Sequence, residues 1–214
     1  MTRIKKGGLI SSFAIGIVLV LTLGASGAWA DQLTYTLGTP NGALQPYTGP
    51  YADVTVSVTG GVATITATAR SGFLIGDGGS VGLNTAAAQT ASGFSWSGGN
   101  GNTAFTNGGT GNEDGFGSFK TSANNFDGYN SSVTSVTFTI SGTYADAASV
   151  LVANSQGAKV AAHIFVAGDG GALVTGFAAD GGTAVPEPTT ISLLAALGGL
   201  MAFAAVRLRS QNVS

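Results

Sequence analysis

Residues 53–69 read DVTVSVTGGVATITATA, and this stretch decides the fold class. Apolar and small polar side chains alternate on both sides of Gly60-Gly61. Because successive side chains of a strand point to opposite faces, this alternation predicts two half-buried strands. Adjacent glycines accept the positive φ angles that a tight hairpin turn needs. The stretch is therefore predicted to form a β-hairpin.

Further strands are predicted where short apolar or alternating runs recur along the chain. These are Leu33–Leu37, Phe73–Ile75, Phe116–Phe119, Val133–Ile140, Lys159–Val166 and Leu173–Phe177. Many short strands at this spacing are typical of a mainly β fold, here a β-sandwich or jelly-roll-like domain. At most one short helix is expected, between Asp146 and Ala153, with a strand over Ser149–Val152 as the alternative.

A stretch rich in glycine and asparagine, residues 98–117, reads GGNGNTAFTNGGTGNEDGFG. These residue types tolerate tight turns with positive φ, so a mobile surface loop is the expectation. Residues 108–113 also approach one repeat of a calcium-binding β-roll, with Glu113 where aspartate is usual. A single imperfect repeat has no neighbour to stack on, and no metal site is predicted.

The charges are distributed unevenly. The chain holds eight basic and ten acidic residues, and five of the basic ones lie close to its two ends. The part from Asp31 to Glu187 therefore carries three basic and ten acidic residues, a net charge of −7. Such a surface has no basic patch to neutralise phosphates, so nucleic-acid binding is not expected. Cysteine is absent, which excludes disulfides, thiolate metal sites and a cysteine nucleophile.

The first thirty residues have the three zones of a secretory signal peptide. A basic start is followed by an apolar run from Leu9 to Leu23 and then by Ala28-Trp29-Ala30. Ala28 and Ala30 place small side chains where signal peptidase requires them, which predicts cleavage after Ala30. A permanent anchor is the alternative, but fifteen helical residues span only about 22 Å of a bilayer core about 30 Å thick.

The C-terminal segment, residues 185–210, has a different composition from the domain before it. It contains Pro186, Glu187 and Pro188, an apolar run over residues 191–206, and then Arg207 and Arg209. The prolines favour an extended backbone outside the membrane. The run predicts a transmembrane helix of about 24 Å, and the arginines stop transfer on the cytoplasmic side. This boundary leaves residues 31–184 as the β-rich exported domain.

This ending resembles the PEP-CTERM sorting signal, which is named for a Pro-Glu-Pro triplet such as Pro186-Glu187-Pro188. The resemblance covers about the last 25 residues and includes the apolar helix and the basic end. It implies that exosortase, a membrane-embedded transpeptidase of exopolysaccharide-producing Gram-negative bacteria, recognises the tail and processes it near the triplet. An ordinary single-pass anchor is the alternative.

No pattern in the exported domain predicts catalysis or a cofactor. His163 is the only histidine and lies in an apolar run, as expected for a strand histidine near the core. Glycoside hydrolysis needs two carboxylates, but nothing in the sequence selects a pair. The available acids are Asp53, Asp77, Glu113, Asp114, Asp127 and Asp146.

We therefore expect a non-enzymatic component of the cell surface or of an extracellular polysaccharide matrix or biofilm. Its expected partners are signal peptidase and the export machinery, exosortase, extracellular polysaccharide, and the inner membrane before processing. A carbohydrate-binding module is the first alternative, because aromatic rings stack against sugars. The candidates for such stacking are Tyr47, Tyr51, Trp96 and Tyr129. A secreted hydrolase is the second alternative.

Overall fold

The computed structural model describes residues 31–100, 104–126, 128–168 and 174–181. Their secondary structure is mainly β, with antiparallel sheets, which confirms the predicted class. The strands, numbered in chain order, are β1 Asp31–Leu37, β2 Thr39–Pro40, β3 Ala52–Thr59, β4 Val62–Ala69, β5 Phe73–Ile75, β6 Val81–Leu83, β7 Ala91–Ser97, β8 Thr106–Asn107, β9 Gly111–Glu113, β10 Gly117–Phe119, β11 Thr121–Asn124, β12 Ser135–Ile140, β13 Val160–Val166 and β14 Thr175–Ala179.

The predicted hairpin is confirmed and forms the middle of a five-stranded sheet. Strands β3 and β4 pair over eight residues each, from Ala52↔Ala69 to Thr59↔Val62. Gly60 and Gly61 join them with φ angles of 59° and 82°. Two successive positive φ angles suit the right-handed twist of the flanking strands. The strand order of this sheet is β1-β3-β4-β12-β7.

A larger sheet packs against the five-stranded one. Its order is β2-β14-β13-β6-β11-β8, and β5 also pairs with β13. The main hydrophobic core contains buried side chains from both sheets, including Val56, Ile65 and Phe138 from the first and Leu83 and Ile164 from the second. This two-layer arrangement is consistent with a β-sandwich.

The larger sheet is also covered on its other face. Strands β9 and β10 form a small two-stranded sheet of their own. Phe116 and Phe119 from this hairpin are fully buried against Ala161, Phe177 and Ala179. The described part of the chain therefore has a second, smaller core outside the sandwich.

This second core corrects the expectation of a mobile surface loop over residues 98–117. Within the part of that stretch that the structure describes, β8, β9 and the start of β10 are formed, and Phe105, Glu113 and Phe116 are buried. Glycine and asparagine permit turns, but they do not prevent pairing when neighbouring phenylalanines bury apolar area.

The short helix predicted between Asp146 and Ala153 is only a single 3-10 turn, Ala147–Ser149. Asp146 caps it, because its carboxylate accepts a hydrogen bond from the Ser149 amide at 2.7 Å. Two residues later Leu151 forms an isolated bridge with Thr85. The extended path needed for this bridge ends the turn early. A second 3-10 turn spans Gly128–Ser131.

Both predicted terminal signals lie outside the described residues: the predicted signal peptide at 1–30 and the predicted sorting tail at 185–210 with its helix at 191–206. Within the ranges that are described, no helix has the length and apolar character needed to cross a membrane.

The hairpin turn gives a test of the fold. Gly60 has φ +59° and open space where a side chain would extend. Gly60→Val should therefore lower the free energy of unfolding by about 1–2 kcal/mol, because a left-handed conformation strains a β-branched residue. Gly60→Asn is the matched control and should cost much less, since asparagine tolerates this conformation. Urea denaturation of the exported protein measures both, and equal losses for the two variants would contradict the turn geometry.

Candidate functional site

The outer face of the five-stranded sheet carries almost only hydroxyl groups. The pairing registers place fifteen outward positions in three rows that cross all five strands, and none of the fifteen is buried. The rows are Thr34-Thr55-Thr66-Thr137-Ser95, Thr36-Asp53-Thr68-Ser135-Ser97 and Gln32-Ser57-Thr64-Thr139-Ser92. Thirteen of these fifteen side chains are serine or threonine. We call this surface the hydroxyl face.

Neighbouring hydroxyls on this face hydrogen-bond each other across the strands. The oxygen–oxygen distance is 3.0 Å for Thr34–Thr55 and for Thr66–Thr137. It is 3.3 Å for Ser92–Thr139 and 3.4 Å for Thr68–Ser135. Cross-strand pairs of this kind stabilise an antiparallel sheet. They also hold the side chains in defined positions.

The hydroxyl face is nearly free of charge. Asp53 is the one ionisable side chain among its fifteen positions, and its carboxylate lies 2.6 Å from the Arg70 guanidinium. Arg70 therefore neutralises the charge locally. Charged residues make up about 25–35% of a typical soluble protein surface. This face has far less, so it offers a partner hydrogen-bonding groups rather than electrostatic attraction.

A shallow depression of about 130 Å³ lies on this face, between β7 and β12. It is lined by Ser95, Trp96, Ser97, Ser135 and Thr137. Beside it the register of the two strands shifts, so that two residues of β7 lie opposite one of β12. Such bulges are frequent next to binding sites, because they redirect neighbouring side chains.

The four aromatic residues considered for sugar stacking do not form a platform. Tyr51 is fully buried, and its hydroxyl donates to the Tyr47 carbonyl at 2.6 Å. Trp96 pairs in register with the buried Val136, and its ring lies 5.8 Å from that of Phe105. Tyr129 makes an edge contact with Phe165. Tyr47 also packs against the main core, so all four rings take part in packing, at separate places in the fold.

His163 lies on the outer face of the larger sheet and is mostly buried, as the sequence predicted. Its Nε2 atom hydrogen-bonds the Thr175 hydroxyl at 2.5 Å. Its ring stacks on Phe177 and Phe165, with centroid distances of 4.4 and 5.3 Å. Burial lowers the pKa of the imidazole, while Asp77, the Gly78 backbone and Asp114 act in the opposite direction. These contacts describe a packed strand histidine with two acids in its vicinity.

Glu113 is the feature that sequence reasoning missed. It ends β9, its side chain is completely buried, and neither carboxylate oxygen has a hydrogen-bond partner among the residues that the structure describes. Its carboxyl group lies against the backbone of Gly79 and Gly82; a Cβ atom at Gly82 would lie 2.7 Å from Oε1. Only glycines leave room for it here. The related sequence signal is the presence of Gly79 and Gly82, and it has no meaning until β9 is packed against β6.

Burial raises the pKa of the Glu113 carboxyl well above its ordinary value of 4.5, and the neighbouring Asp114 raises it further. A carboxyl group without partners in an apolar setting is stable only in its neutral form. Burial of Glu113 therefore favours the protonated form of its carboxyl group in the folded protein.

The remaining acids have separate structural roles or lie apart. Asp53 pairs with Arg70 and Asp146 caps a 3-10 turn, whereas Asp127 is outside the described residues. Across the described ranges, no three histidine, aspartate or glutamate side chains gather in a way that could hold a metal ion. The residues predicted to direct sorting, Pro186, Glu187, Pro188, Arg207 and Arg209, and those predicted to direct signal cleavage, Ala28 and Ala30, also lie outside these ranges.

Glu113 gives a test through the pH dependence of stability. Its folded-state pKa lies above the unfolded value of 4.5, so folding takes up a proton. Its contribution to stability is fully present below pH 4.5 and falls as the pH rises towards the folded-state pKa. The limiting slope is about 1.4 kcal/mol per pH unit. Glu113→Gln should remove this fall and unfold at a higher urea concentration than wild type at neutral pH.

The matched control is Asp114→Asn, which changes the exposed neighbour in the same way and should keep the fall with pH. Urea midpoints measured between pH 4 and 8 for the three proteins make the comparison. If wild type and Glu113→Gln lose stability in parallel over this range, Glu113 is not the buried neutral acid described above.

Comparisons of the chain with protein-family models, with curated proteins and with solved structures found no match in any of the three.

Proposed function

We propose that this chain is an exported, non-enzymatic component of the cell surface or of an extracellular polysaccharide matrix, sorted through its C-terminal tail. The structural observation that supports this function best is the hydroxyl face, a broad and nearly uncharged surface with no catalytic grouping on it. A surface of this kind suits contact with a matrix rather than chemistry on a small substrate.

The export step is supported by the join between signal and domain. Ala28 and Ala30 place the predicted cut before Asp31, which is also the first residue that the structure describes. Asp31 also belongs to the fold, because its carboxylate accepts a hydrogen bond from the Ala147 amide at 2.5 Å. The predicted cut would therefore keep Asp31 and its contact with Ala147 in the mature protein.

The sorting step is supported by the residues of the tail. Pro186, Glu187 and Pro188 precede the apolar run, and Arg207 and Arg209 follow it. In this proposal exosortase recognises the triplet, the helix over residues 191–206 holds the protein in the inner membrane until processing, and the product then moves to the surface or matrix. The finer fold assignment, a β-sandwich or jelly-roll-like domain between two terminal signals, belongs to the same proposal.

The hydrolase alternative has little support in the described geometry. His163 is fixed by Thr175 and stacked between phenylalanines, and Glu113 is sealed from solvent. A carbohydrate-binding function has one specific observation in its favour, the depression bordered by Ser95, Ser135 and Thr137.

Signal cleavage is tested on protein recovered from cells. Mass analysis of the N-terminal peptide should find a chain that begins at Asp31, because Ala28 and Ala30 fit the two small pockets of signal peptidase. Replacing Ala30 with a bulky residue such as Phe should block this cut. Mature protein that still carries Lys5 and Lys6 would refute the cleavage.

Tail processing is tested by changing Pro186, Glu187 and Pro188 to alanine in a host that has exosortase. Insertion should be unaffected, since spanning depends on apolar length and flanking charge. Trimming should stop, because alanines favour a helix and a peptide bond within a helix cannot lie extended in a protease groove. Immunoblots of membrane, surface and medium fractions should then show the untrimmed chain in the inner membrane.

A matched control replaces Thr189 and Thr190 with alanine next to the triplet and should be trimmed as wild type. If the triple variant and wild type are trimmed and distributed alike, the sorting proposal is wrong and the tail is an ordinary membrane anchor.

A further inference from the structure

We propose that the hydroxyl face binds neutral polysaccharide chains, with the depression between β7 and β12 as its centre. This deepens the proposed function by naming the partner and the surface. It rests on that function only for placing the domain where polysaccharide is present.

Hydrogen-bonding capacity is the first argument. A hydroxyl has one donor and two acceptor positions. In a bonded pair such as Thr66–Thr137, one donor and one acceptor are used, so one donor and three acceptors remain. Sugar hydroxyls have the same inventory. Each pair on the face can therefore both give and accept hydrogen bonds with a glycan.

Charge is the second argument, and it selects among glycans. Asp53 is neutralised by Arg70, and no basic side chain lies at any of the fifteen positions. An acidic polysaccharide would find no cation to bind, and it would meet a domain with net negative charge. A neutral polysaccharide meets no such repulsion.

Rigidity is the third argument. The side chains lie on paired strands, and threonine is restricted in χ1 by its branched Cβ. The bonded pairs restrict them further. Ordering of flexible side chains is a main cost of binding, and here most of that cost has been met by folding.

Shape is the fourth argument. The depression of about 130 Å³ is smaller than the roughly 300–1,000 Å³ of small-molecule pockets. Around the depression, outward side chains are spaced about 4.8 Å apart across neighbouring strands and about 6.8 Å apart along each strand. A repeating open surface suits a chain of repeating units better than a single enclosed molecule.

A protein partner, including a second copy of this chain, fits the face less well. The centres of protein–protein interfaces are apolar and enriched in tyrosine, tryptophan and phenylalanine. The fifteen positions of the hydroxyl face contain none of these, and Trp96 is the one aromatic residue among the five that line the depression.

The test removes hydroxyls without changing shape. Thr66, Thr68 and Thr137 are changed to valine, which is nearly isosteric and equally suited to a strand. The purified exported protein is run through native gels that contain hydroxyethylcellulose or dextran as neutral probes, or alginate as an acidic one, and is co-sedimented with cellulose. Wild type should be retained by at least one neutral probe and not by alginate, and added salt should not weaken retention. The triple variant should bind about tenfold more weakly.

The matched control changes Thr106, Thr110 and Thr143 to valine, three exposed threonines away from the face, and should bind as wild type. Circular dichroism and urea midpoints establish that all variants are folded. The inference is overturned if wild type binds no neutral probe, if the face variant binds like wild type, or if binding is confined to alginate and is lost in salt. If wild type forms a dimer and the face variant is a monomer, the hydroxyl face binds a second copy of the chain instead.

These outcomes are separate from the failure of sorting. Binding is measured on purified protein, whereas sorting is measured by trimming of the tail in cells. Loss of glycan binding with normal trimming would refute the binding face alone, and an untrimmed tail with normal binding would refute the sorting alone.

Discussion

The structure depends on the register of the central hairpin. Because side chains alternate along a strand, the pairing of Thr55 with Thr66 places Val54, Val56, Val58 and Ile65 inward and the serine and threonine side chains outward. A slip of one residue would reverse both faces together. The positive φ angles at Gly60 and Gly61 allow a loop of only two residues, and this short loop determines the register. The core and the hydroxyl face are thus two results of one pairing.

The hairpin could be predicted because all its determinants are local. Alternation, adjacent glycines and strand length lie within seventeen residues. The six other predicted strands were also found, with ends shifted by a few residues. Strands β6, β7 and β11 were not predicted, because their apolar side chains are few or separated by glycine and serine, and their pairing partners are distant in sequence. Gly82, for example, pairs with Ser122 on one side and Ala161 on the other, and neither partner is near it in sequence.

The two features of most functional interest depend on tertiary structure in different ways. The hydroxyl face combines five strands that span residues 31 to 140, so no window of sequence shows its rows. Glu113 lies in a stretch whose composition indicates a loop, and its burial follows from phenylalanines that fasten the β9–β10 hairpin to the larger sheet. The position of His163 was predicted correctly, because an apolar run on both sides is itself a local signal.

The strand order also determines how this domain can be attached to something else. The described chain begins with β1, an edge strand of the sheet that carries the hydroxyl face, and its last strand, β14, belongs to the opposite sheet. A support joined after β14 therefore holds the domain by the layer that faces away from the hydroxyls. Immobilisation through this end leaves the hydroxyl face open to solution. A bulky group fused ahead of Asp31 would instead lie at the edge of the hydroxyl face, next to β1.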